Sequence, residues 1–250
     1  MINSDKVEII QEKPYCIFKV ENFLEKIFYE ELSENFPRLD KNIAVDAKYG
    51  KFGLKMERTP SNNFGKAILK NKILNKLHNL INSRYFFEFI KKNFYWKCAN
   101  SQNNFLRKIR YLRPLKLSNS KPSFFDFLFS KVNSTYHYSW VLNNGKLAPH
   151  VDAQRKYLSM LLYFPQSGDA EYGTSFWHYN HPSYSNKHLT EENEVNNFKN
   201  KRKLILKCPF VGNTLFGFIR NDFSWHTVEP INVSDSYIRR NIIINFKYDN

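Results

Sequence analysis

The sequence predicts a mainly β protein with flanking N-terminal helices, an α+β arrangement built around an antiparallel sandwich or barrel. Apolar residues recur at helical spacing early in the chain, whereas short apolar segments separated by Gly, Pro, Asn and Ser dominate after about residue 105. Helices first and strands later, without βαβ alternation, argue against a parallel α/β fold. Because 42% of the 250 residues are hydrophobic, the chain can bury the core of one domain.

The first part of that single domain, residues 1–130, is predicted to be a helical, supporting part. An apolar run at 15–20 predicts a strand, and Asn22 can cap a helix that ends before Pro37. A short strand is expected around 49–56. Apolar residues at helical spacing then predict a helix from about Lys66 and, after a break at 82–83, another from Arg84. We expect the apolar faces of these helices to be core.

The second part, residues 131–250, is predicted to hold the β core of the same domain, which spans residues 1–250. Its strands are expected at 136–142, 157–164, 174–179, 204–208, 214–219 and 238–248. The polar segment 185–203, which contains EENEVNNFKNKRK, interrupts this rhythm. We expect this segment to be an exposed insertion, either a mobile lid or a long loop.

The composition argues against several classes of protein. No run of about 18 apolar residues exists, and the charged N-terminus lacks the apolar stretch of a signal peptide, so we expect a soluble, cytoplasmic protein without a membrane partner. Three cysteines without CxxC spacing predict neither a disulfide framework nor a zinc cluster. The net charge of +15 fits either the coding bias of an AT-rich genome or an acidic substrate. No single basic helix predicts nucleic-acid binding.

The segment Leu147-Ala-Pro-His150-Val-Asp152 carries the first candidate site. On a β-strand, residues two apart point to the same face, so His150 and Asp152 would present an imidazole nitrogen and a carboxylate oxygen side by side. We expect the third ligand to be His226, which lies far downstream in a Trp-His-x-Val-x-Pro context. Two histidines and a carboxylate suit a non-haem iron(II), although zinc also accepts these ligands.

An arginine downstream of His226 adds a fourth element to this pattern. Arg239 and Arg240 open an apolar strand, and a guanidinium group binds a carboxylate well because it can donate two parallel hydrogen bonds. Strand parity puts Arg240 on a wholly apolar face that suits packing against helices. Arg239 shares its face with Asn241 and Asn245, which suits a wet pocket. We therefore predict Arg239, with Arg240 as the alternative.

Several pieces of the sequence form one larger pattern. In chain order they are Gly145-x-Leu147-x-Pro149-His150-x-Asp152, LSMLLYF at 158–164, Gly173-Thr174, Trp225-His226-x-Val228-x-Pro230 and Arg239-x-Asn241. With these pieces, the stretch from about residue 136 to the C-terminus resembles the prolyl-4-hydroxylase-like branch of the Fe(II)/2-oxoglutarate-dependent dioxygenase superfamily. The N-terminal segment 22–37 is loosely similar to the helix that opens many such proteins, and residues 38–130 match nothing comparable.

The resemblance implies a double-stranded β-helix (jelly roll) that carries the metal site within residues 131–250. It implies His150, Asp152 and His226 as the Fe(II) ligands and catalytic residues, and Arg239 and Tyr163 as binding residues for 2-oxoglutarate. Dioxygen would be the second cosubstrate, and ascorbate is an optional further cofactor. Asn241 departs from the Ser or Thr that the family often has two residues after the arginine, but an amide can also donate a hydrogen bond.

The implied reaction is hydroxylation of an unactivated C–H bond with release of succinate and CO2. The substrate would be a small molecule or a peptidyl group, and the basic charge leaves room for an acidic one. The main alternative is a jelly-roll metal-binding module without oxygenase activity. A cupin-like zinc or manganese isomerase and a nucleic-acid demethylase are further alternatives. His178 and His181 form an HxxH motif whose spacing does not place both on one face of a strand, so we expect no metal there.

Overall fold

The computed structural model describes residues 1–3, 6–41, 44–46, 49–56, 63–102, 105–166, 171–183, 188–234 and 236–249. Its strands are β1 (Glu8–Gln11), β2 (Ile17–Val20), β3 (Val45–Asp46), β4 (Lys51–Met56), β5 (Leu115–Leu117), β6 (Ser130–Leu142), β7 (Leu147–His150), β8 (Lys156–Phe164), β9 (Ser175–His178), β10 (Lys203–Lys207), β11 (Leu215–Ile219), β12 (Trp225–Val228) and β13 (Ile238–Tyr248). Its helices are α1 (Lys26–Glu34), α2 (Asn63–Lys70), α3 (Lys72–Ile81), α4 (Arg84–Asn100), α5 (Phe105–Leu112) and α6 (Glu192–Lys201), with a 3-10 helix at Phe124–Leu128. The predicted mainly β fold with N-terminal helices is confirmed.

Two sheets form the framework of the described chain. The larger has the order β1-β2-β11-β8-β13-β6-β4-β3, with β5 parallel to β6, and the smaller has the order β10-β9-β12-β7. From β6 onward the chain passes back and forth between them. As a result β6, β13, β8 and β11 are neighbours in one sheet, while β7, β12, β9 and β10 are neighbours in the other. This is the strand arrangement of a jelly roll, and the pairs among these eight strands are antiparallel.

Strand β13 divides the larger sheet into two chemically different faces. It lies between β6 and β8, and side chains alternate across it. Ile242, Ile244 and Phe246 are buried in the main hydrophobic core, where Phe246 packs 6.1 Å from the ring of Phe87 on α4. The residues of opposite parity, beginning with Arg239, line a cavity toward the smaller sheet. The alternation therefore separates the core under the helices from the interior of the jelly roll.

The N-terminal helices pack on the outer face of the larger sheet. Phe94 of α4 lies 4.3 Å from Phe18 of β2, measured between ring centroids. The chain breaks between α2 and α3 because the side chain of Asn71 accepts hydrogen bonds from the backbone N–H groups of Ile73 and Leu74, at 2.9 and 3.2 Å. Among the described residues, we find no helix whose length and apolar character would let it cross a membrane.

Some elements differ from the sequence expectations. Asn22 has a φ of +49°, which is incompatible with the extended backbone of an N-cap, and α1 begins four residues later at Lys26. Residues 1–130 contain β1 to β5 as well as helices. Within the segment 185–203, residues 185–187 lie outside the described residues, and α6 follows in place of an irregular loop. Phe198 of α6 is buried against Trp177, so this helix is anchored to the smaller sheet.

We expect Gly173→Ala to destabilise this framework. A Cβ atom at Gly173 would lie 1.7 Å from the backbone oxygen of Cys208. The backbone of the segment that leads into β9 would therefore have to move. Overpacking of this kind costs about 1–3 kcal/mol and occasionally more. In a chain of this size, each kcal/mol lowers the melting temperature by about 2–4 °C. Thermal unfolding followed by circular dichroism measures the shift.

Gly53→Ala is the matched control for this prediction. A Cβ atom at Gly53 would meet nothing closer than 3.7 Å, which is an ordinary van der Waals contact. We expect its effect to stay within about 0.5 kcal/mol, the usual range for a substitution that creates no clash. Equal melting temperatures for the two variants would contradict the close approach at Gly173.

Candidate metal centre

Three buried side chains converge at the open end of the smaller sheet. His150 is the last residue of β7 and lies directly opposite His226 of β12 in the antiparallel ladder. Asp152 follows β7 by two residues, so the expectation that one strand carries both His150 and Asp152 is wrong. Instead, Arg220 Nε donates a hydrogen bond to the backbone oxygen of Asp152 at 3.0 Å. Ligand atoms of His150, Asp152 and His226 nevertheless lie within 4.8 Å of one another.

Each of the two imidazole rings is oriented by a backbone carbonyl group. Nδ1 of His150 lies 3.0 Å from the oxygen of Ala148, and Nδ1 of His226 lies 3.0 Å from the oxygen of Ser224. A carbonyl oxygen only accepts, so Nδ1 carries the proton and Nε2 keeps its lone pair for a metal. Burial, together with its imidazole neighbours, lowers the pKa of His150 well below its usual value, and burial lowers the pKa of His226 to about 4.

The carboxylate of Asp152 is held in its ionised form. Burial alone would raise the pKa of Asp152, but the positive charge of Lys156 and the nearby imidazoles reverse this and hold the pKa well below its usual range. Lys156 Nζ donates to Oδ1 at 2.6 Å, and Ser159 Oγ donates to Oδ2 at 2.5 Å. Two neutral imidazoles and one ionised carboxylate therefore face one point, which is the donor set of a divalent metal with open positions.

A cavity of about 300 Å³ lies beside these three residues, between the two sheets. Among the described residues that line it, Asp152 is the one carboxylate. Six basic side chains line the same cavity: Lys51, Lys55, Arg155, Lys156, Arg239 and Lys247. Burial and then the positive charges of Arg239 and Lys156 lower the pKa of Lys51 to about 8. The interior of the jelly roll is therefore electropositive, which favours anionic ligands.

Arg239 has an unsatisfied donor inside this cavity. Its side chain is 2% exposed; Nε donates to the backbone oxygen of Tyr172 at 2.6 Å, and Nη1 donates to Oδ1 of Asn241 at 2.8 Å. Nη2 of Arg239 and Nδ2 of Asn241 are buried without a hydrogen-bond partner among the described residues. A buried donor without a partner costs stability, so both groups are prepared for an acceptor such as a carboxylate.

Arg240 lies on the opposite face of β13. Its guanidinium group stands 5.4 Å from the ring of Phe36, and its Nη1 lies 3.5 Å from the backbone oxygen of Ser33 at the end of α1. Strand parity thus separates the two arginines as the sequence predicted. Only Arg239 of this pair lines the cavity. The role of Arg239 in binding a cosubstrate stays a prediction.

Tyr163, the second predicted 2-oxoglutarate residue, is placed behind Arg239. Its ring lies 5.2 Å from the guanidinium carbon of Arg239. Its hydroxyl group lies 3.1 Å from Thr174 Oγ1 and accepts a hydrogen bond from the backbone N–H of Thr174 at 3.1 Å. Burial raises the pKa of Tyr163 above its usual value, so the phenol stays neutral. In this arrangement Tyr163 supports the guanidinium group, and its hydroxyl is already engaged.

His188 is a member of the site that sequence reasoning missed. Its ring stacks on His150 with centroids 4.1 Å apart and an interplanar angle of 14°, and it lines the cavity. The polar surroundings of His188 in the sequence suggested an exposed insertion. Nothing in the local sequence marks His188, because its contact with His150 depends on the tertiary structure. Lys51 was missed because it belongs to no motif, and Ser159 lies in the LSMLLYF segment, where nothing local marks it as a hydrogen-bond partner of Asp152.

The remaining histidines and tryptophans lie apart from the three ligands. His178 is exposed, and neither it nor His181 lines the cavity. Trp177 and Trp225 pack with Phe198 on the far side of the smaller sheet. These two tryptophans therefore belong to a hydrophobic core cluster. His137 does line the cavity, from β6.

The fold is found in solved structures. The chain matches the non-heme alpha ketoglutarate dependent epimerase SnoN from nogalamycin biosynthesis with a TM-score of 0.50 and 11% identity, over 93% of this chain and 78% of that chain. It also matches a prolyl-4-hydroxylase from Pseudomonas putida (TM-score 0.48, 11% identity, 95% of each chain). A further match is HygX from Streptomyces hygroscopicus (TM-score 0.45, 10% identity, 93% of this chain and 82% of that chain). No protein-family model matches the sequence, and neither does any curated protein. At this identity, the likeness to SnoN shows the jelly-roll fold alone.

Proposed function

We propose that this protein is an Fe(II)- and 2-oxoglutarate-dependent oxygenase. One observation carries the proposal: a buried His–Asp–His triad and a buried arginine with an unsatisfied N–H donor line the same cavity. Ligands on one side of a metal leave positions open for a chelating cosubstrate and dioxygen. The arginine can donate hydrogen bonds to the second carboxylate, which lies at the far end of such a keto acid.

Arg239 favours this function over a zinc site. Zinc would accept His150, Asp152 and His226 equally well, but a structural zinc site has no need for an unsatisfied guanidinium group in the adjoining cavity. That group costs stability unless an anion binds to it, since burial disfavours its charged form and lowers its pKa. A carboxylate of the cosubstrate that bound to Arg239 would remove this cost. The residues present therefore fit 2-oxoglutarate together with iron.

In the proposed reaction, Fe(II) with 2-oxoglutarate and dioxygen supplies an oxidant that can attack an unactivated C–H bond, with release of succinate and CO2. The protein's residues orient and shield the reactants. His150, Asp152 and His226 hold the metal on one side, and Ser159 and Lys156 fix the carboxylate. Arg239 and Asn241 bind the far carboxylate of the cosubstrate, and the ring of Tyr163 supports Arg239.

Water exclusion is the second task of the chain's own residues. Phe218 of β11 and Val228 of β12 line the cavity close to the triad, and the ring of Phe218 lies 4.6 Å from that of His226. Apolar walls of this kind exclude solvent from the reacting atoms. His188 covers His150 by stacking, which gives His188 a shielding role in this proposal. Helix α6 lies behind the smaller sheet and is not part of this cover.

Hydroxylation is the outcome we propose, with a small molecule or a peptidyl group as substrate. The epimerase SnoN shares the fold, so the fold itself does not select hydroxylation among the reactions of such oxidants. The alternative, a metal-binding module without oxygenase activity, would leave the unsatisfied donors of Arg239 and Asn241 without a ligand. We therefore rank it second.

The test needs no substrate. The protein is loaded anaerobically with Fe(II), and 2-oxoglutarate is added. We expect a metal-to-ligand charge-transfer absorption, because the keto acid chelates the metal, and slow formation of succinate once air is admitted. Folded protein that binds Fe(II) but shows neither signal would refute the oxygenase and support the metal-binding module.

A further inference from the structure

We propose that the cavity binds a small substrate through a doubly charged anionic group, a phosphate or a pair of neighbouring carboxylates, held by Lys51 and Lys55. This inference rests on the proposed function, since it names the class of substrate that the same cavity would take. Both lysines lie on β4 and line the cavity. They would hold one end of the substrate while the rest of the molecule extends toward the metal.

The register of β4 on β6 builds a recess between the two lysines. Lys51 is opposite Val141, and Gly53 is opposite Ser139. Lys55 is opposite His137, the next residue on that face of β6. Residues two apart share a face, so both lysines point to the side on which Gly53 has no side chain. A Cβ atom at Gly53 would lie 3.7 Å from Cδ2 of His137, an ordinary van der Waals contact, so the ring of His137 borders the recess at this point.

The floor of this recess is polar and incompletely bonded. Ser139 is fully buried, and its Oγ has no hydrogen-bond partner among the described residues. Thr135, on the same face of β6, has a buried Oγ1 in the same condition. Both residues line the cavity. A hydroxyl group without a partner is costly when buried, and an anionic oxygen that accepts from it removes the cost.

The two lysines of the recess lack a counterion among the residues that the structure describes. Within the described part of the chain, Lys51 and Lys55 form no ion pair, and the carboxylate of Asp152 already accepts from Lys156. The positive electrostatic potential of these side chains also acts on His137, which lines the same cavity. Burial and then the positive charges of Lys51, Lys156, Lys55 and Lys247 lower the pKa of His137 well below its usual value. A group with two negative charges is the ligand that such a surface attracts most strongly.

The recess lies beside the residues that would hold 2-oxoglutarate, since Arg239 and Asn241 pair across β6 with the positions that pair with Lys51 and Gly53. Arg239 and Asn241 have their own unsatisfied donors, and they lie on β13, on the far side of β6 from β4. The cavity volume of about 300 Å³ suits a small molecule and leaves no room for a folded macromolecule. A phosphate or dicarboxylate compound of modest size is therefore the occupant that the geometry favours.

The experiment uses the full chain loaded with Mn(II) and saturating 2-oxoglutarate, so that Arg239 is occupied and no turnover occurs. Inorganic phosphate and malonate are the probes, titrated by calorimetry, with acetate as the singly charged comparison. Paramagnetic broadening of the phosphorus NMR signal reports whether bound phosphate lies near the metal. The double variant Lys51→Gln, Lys55→Gln should bind phosphate at least about tenfold more weakly, since the loss of one charge-assisted hydrogen bond alone corresponds to about a factor of ten or more.

Lys26→Gln is the matched control, because Lys26 is an exposed lysine on α1, 3.9 Å from Glu30 and outside the cavity. It should bind phosphate as the unmodified chain does. Phosphate binding that is unchanged in the double variant, or that leaves the phosphorus signal unbroadened, would overturn the proposal. So would a Lys51→Gln variant that weakens 2-oxoglutarate and leaves phosphate unaffected, because Lys51 would then belong to the cosubstrate.

Two further outcomes distinguish the proposed anion site from nucleic-acid binding and from the oxygenase proposal. A single-stranded oligonucleotide that binds through both lysines while phosphate and malonate do not would overturn the small substrate in favour of nucleic acid. If the charge-transfer absorption with Fe(II) and 2-oxoglutarate is absent, the oxygenase fails. The phosphate titration can then be repeated with metal-free protein, and a loss of affinity confined to the lysine variants would still support the anion site.

Discussion

His226→Ala is expected to abolish tight binding of Fe(II) and, with it, formation of succinate. His226 supplies one of the three proposed ligands, and its Nδ1 is committed to the backbone oxygen of Ser224, which leaves Nε2 for the metal. Loss of a residue that only orients a ligand reduces metal affinity by about 10–100-fold, and we expect loss of a ligand itself to cost at least about 100-fold. Competition with a chromophoric chelator under anaerobic conditions measures the affinity.

The matched control for His226→Ala is His178→Ala. His178 lies at the end of β9 in the same sheet, but its side chain is exposed and lies outside the cavity. Its replacement should leave both metal affinity and succinate formation unchanged. Circular dichroism establishes that each variant is folded. If the two variants lost metal to the same extent, or if His226→Ala kept full affinity, the proposed ligand set would be wrong.

Arg239→Met is expected to weaken 2-oxoglutarate by at least about 100-fold while leaving Fe(II) affinity intact. A guanidinium group contributes charge-assisted hydrogen bonds of about 1.5–3 kcal/mol each to a carboxylate, and about 1.4 kcal/mol corresponds to a factor of ten. Methionine retains much of the side chain's length and so limits collapse of the cavity. The charge-transfer absorption, titrated with 2-oxoglutarate, gives the dissociation constant directly.

Arg240→Met provides the contrast that strand parity makes possible. Arg240 is the neighbour of Arg239 in the sequence, yet it packs on Phe36 beneath α1. We expect its replacement to lower the melting temperature somewhat and to leave 2-oxoglutarate binding unchanged. An Arg240 variant that loses 2-oxoglutarate while the Arg239 variant retains it would reverse the assignment. Arg239→Lys should restore only part of the affinity, since an ammonium group cannot donate the same pair of parallel hydrogen bonds.

Local patterns predicted a large part of the fold. The apolar segments after residue 130 correspond to strands, with β8, β11 and β13 within two residues of their expected bounds. The period of two along β13 separated Arg239 from Arg240 because alternation depends only on the backbone of a strand. The break before Arg84 was also predicted, and Ser83 caps α4 by accepting from the backbone N–H of Phe86 at 3.1 Å.

Other features had no local signal. Asp152 faces His150 even though β7 has already ended, because Arg220, 68 residues away in sequence, holds its backbone oxygen. His188 reaches His150 from a polar segment. Asn22 looked like a helix cap, but the backbone there takes a positive φ where β2 turns toward α1. Each of these depends on contacts between distant parts of the chain, which residue spacing does not encode.

The sequence by itself determined which residue types are available for a metal site and for an anion-binding group. Two histidines, a carboxylate and an arginine of known strand parity are local features, and alternation along a strand is enough to choose between neighbouring side chains. Only the tertiary structure decided which of these groups meet. The jelly roll places β7 beside β12, so that His150 and His226 become direct partners, and it brings Lys51 from β4 to the cavity of Arg239. The physical reason is that sheet pairing joins distant segments through backbone hydrogen bonds, and its outcome is selected by burial of the whole core.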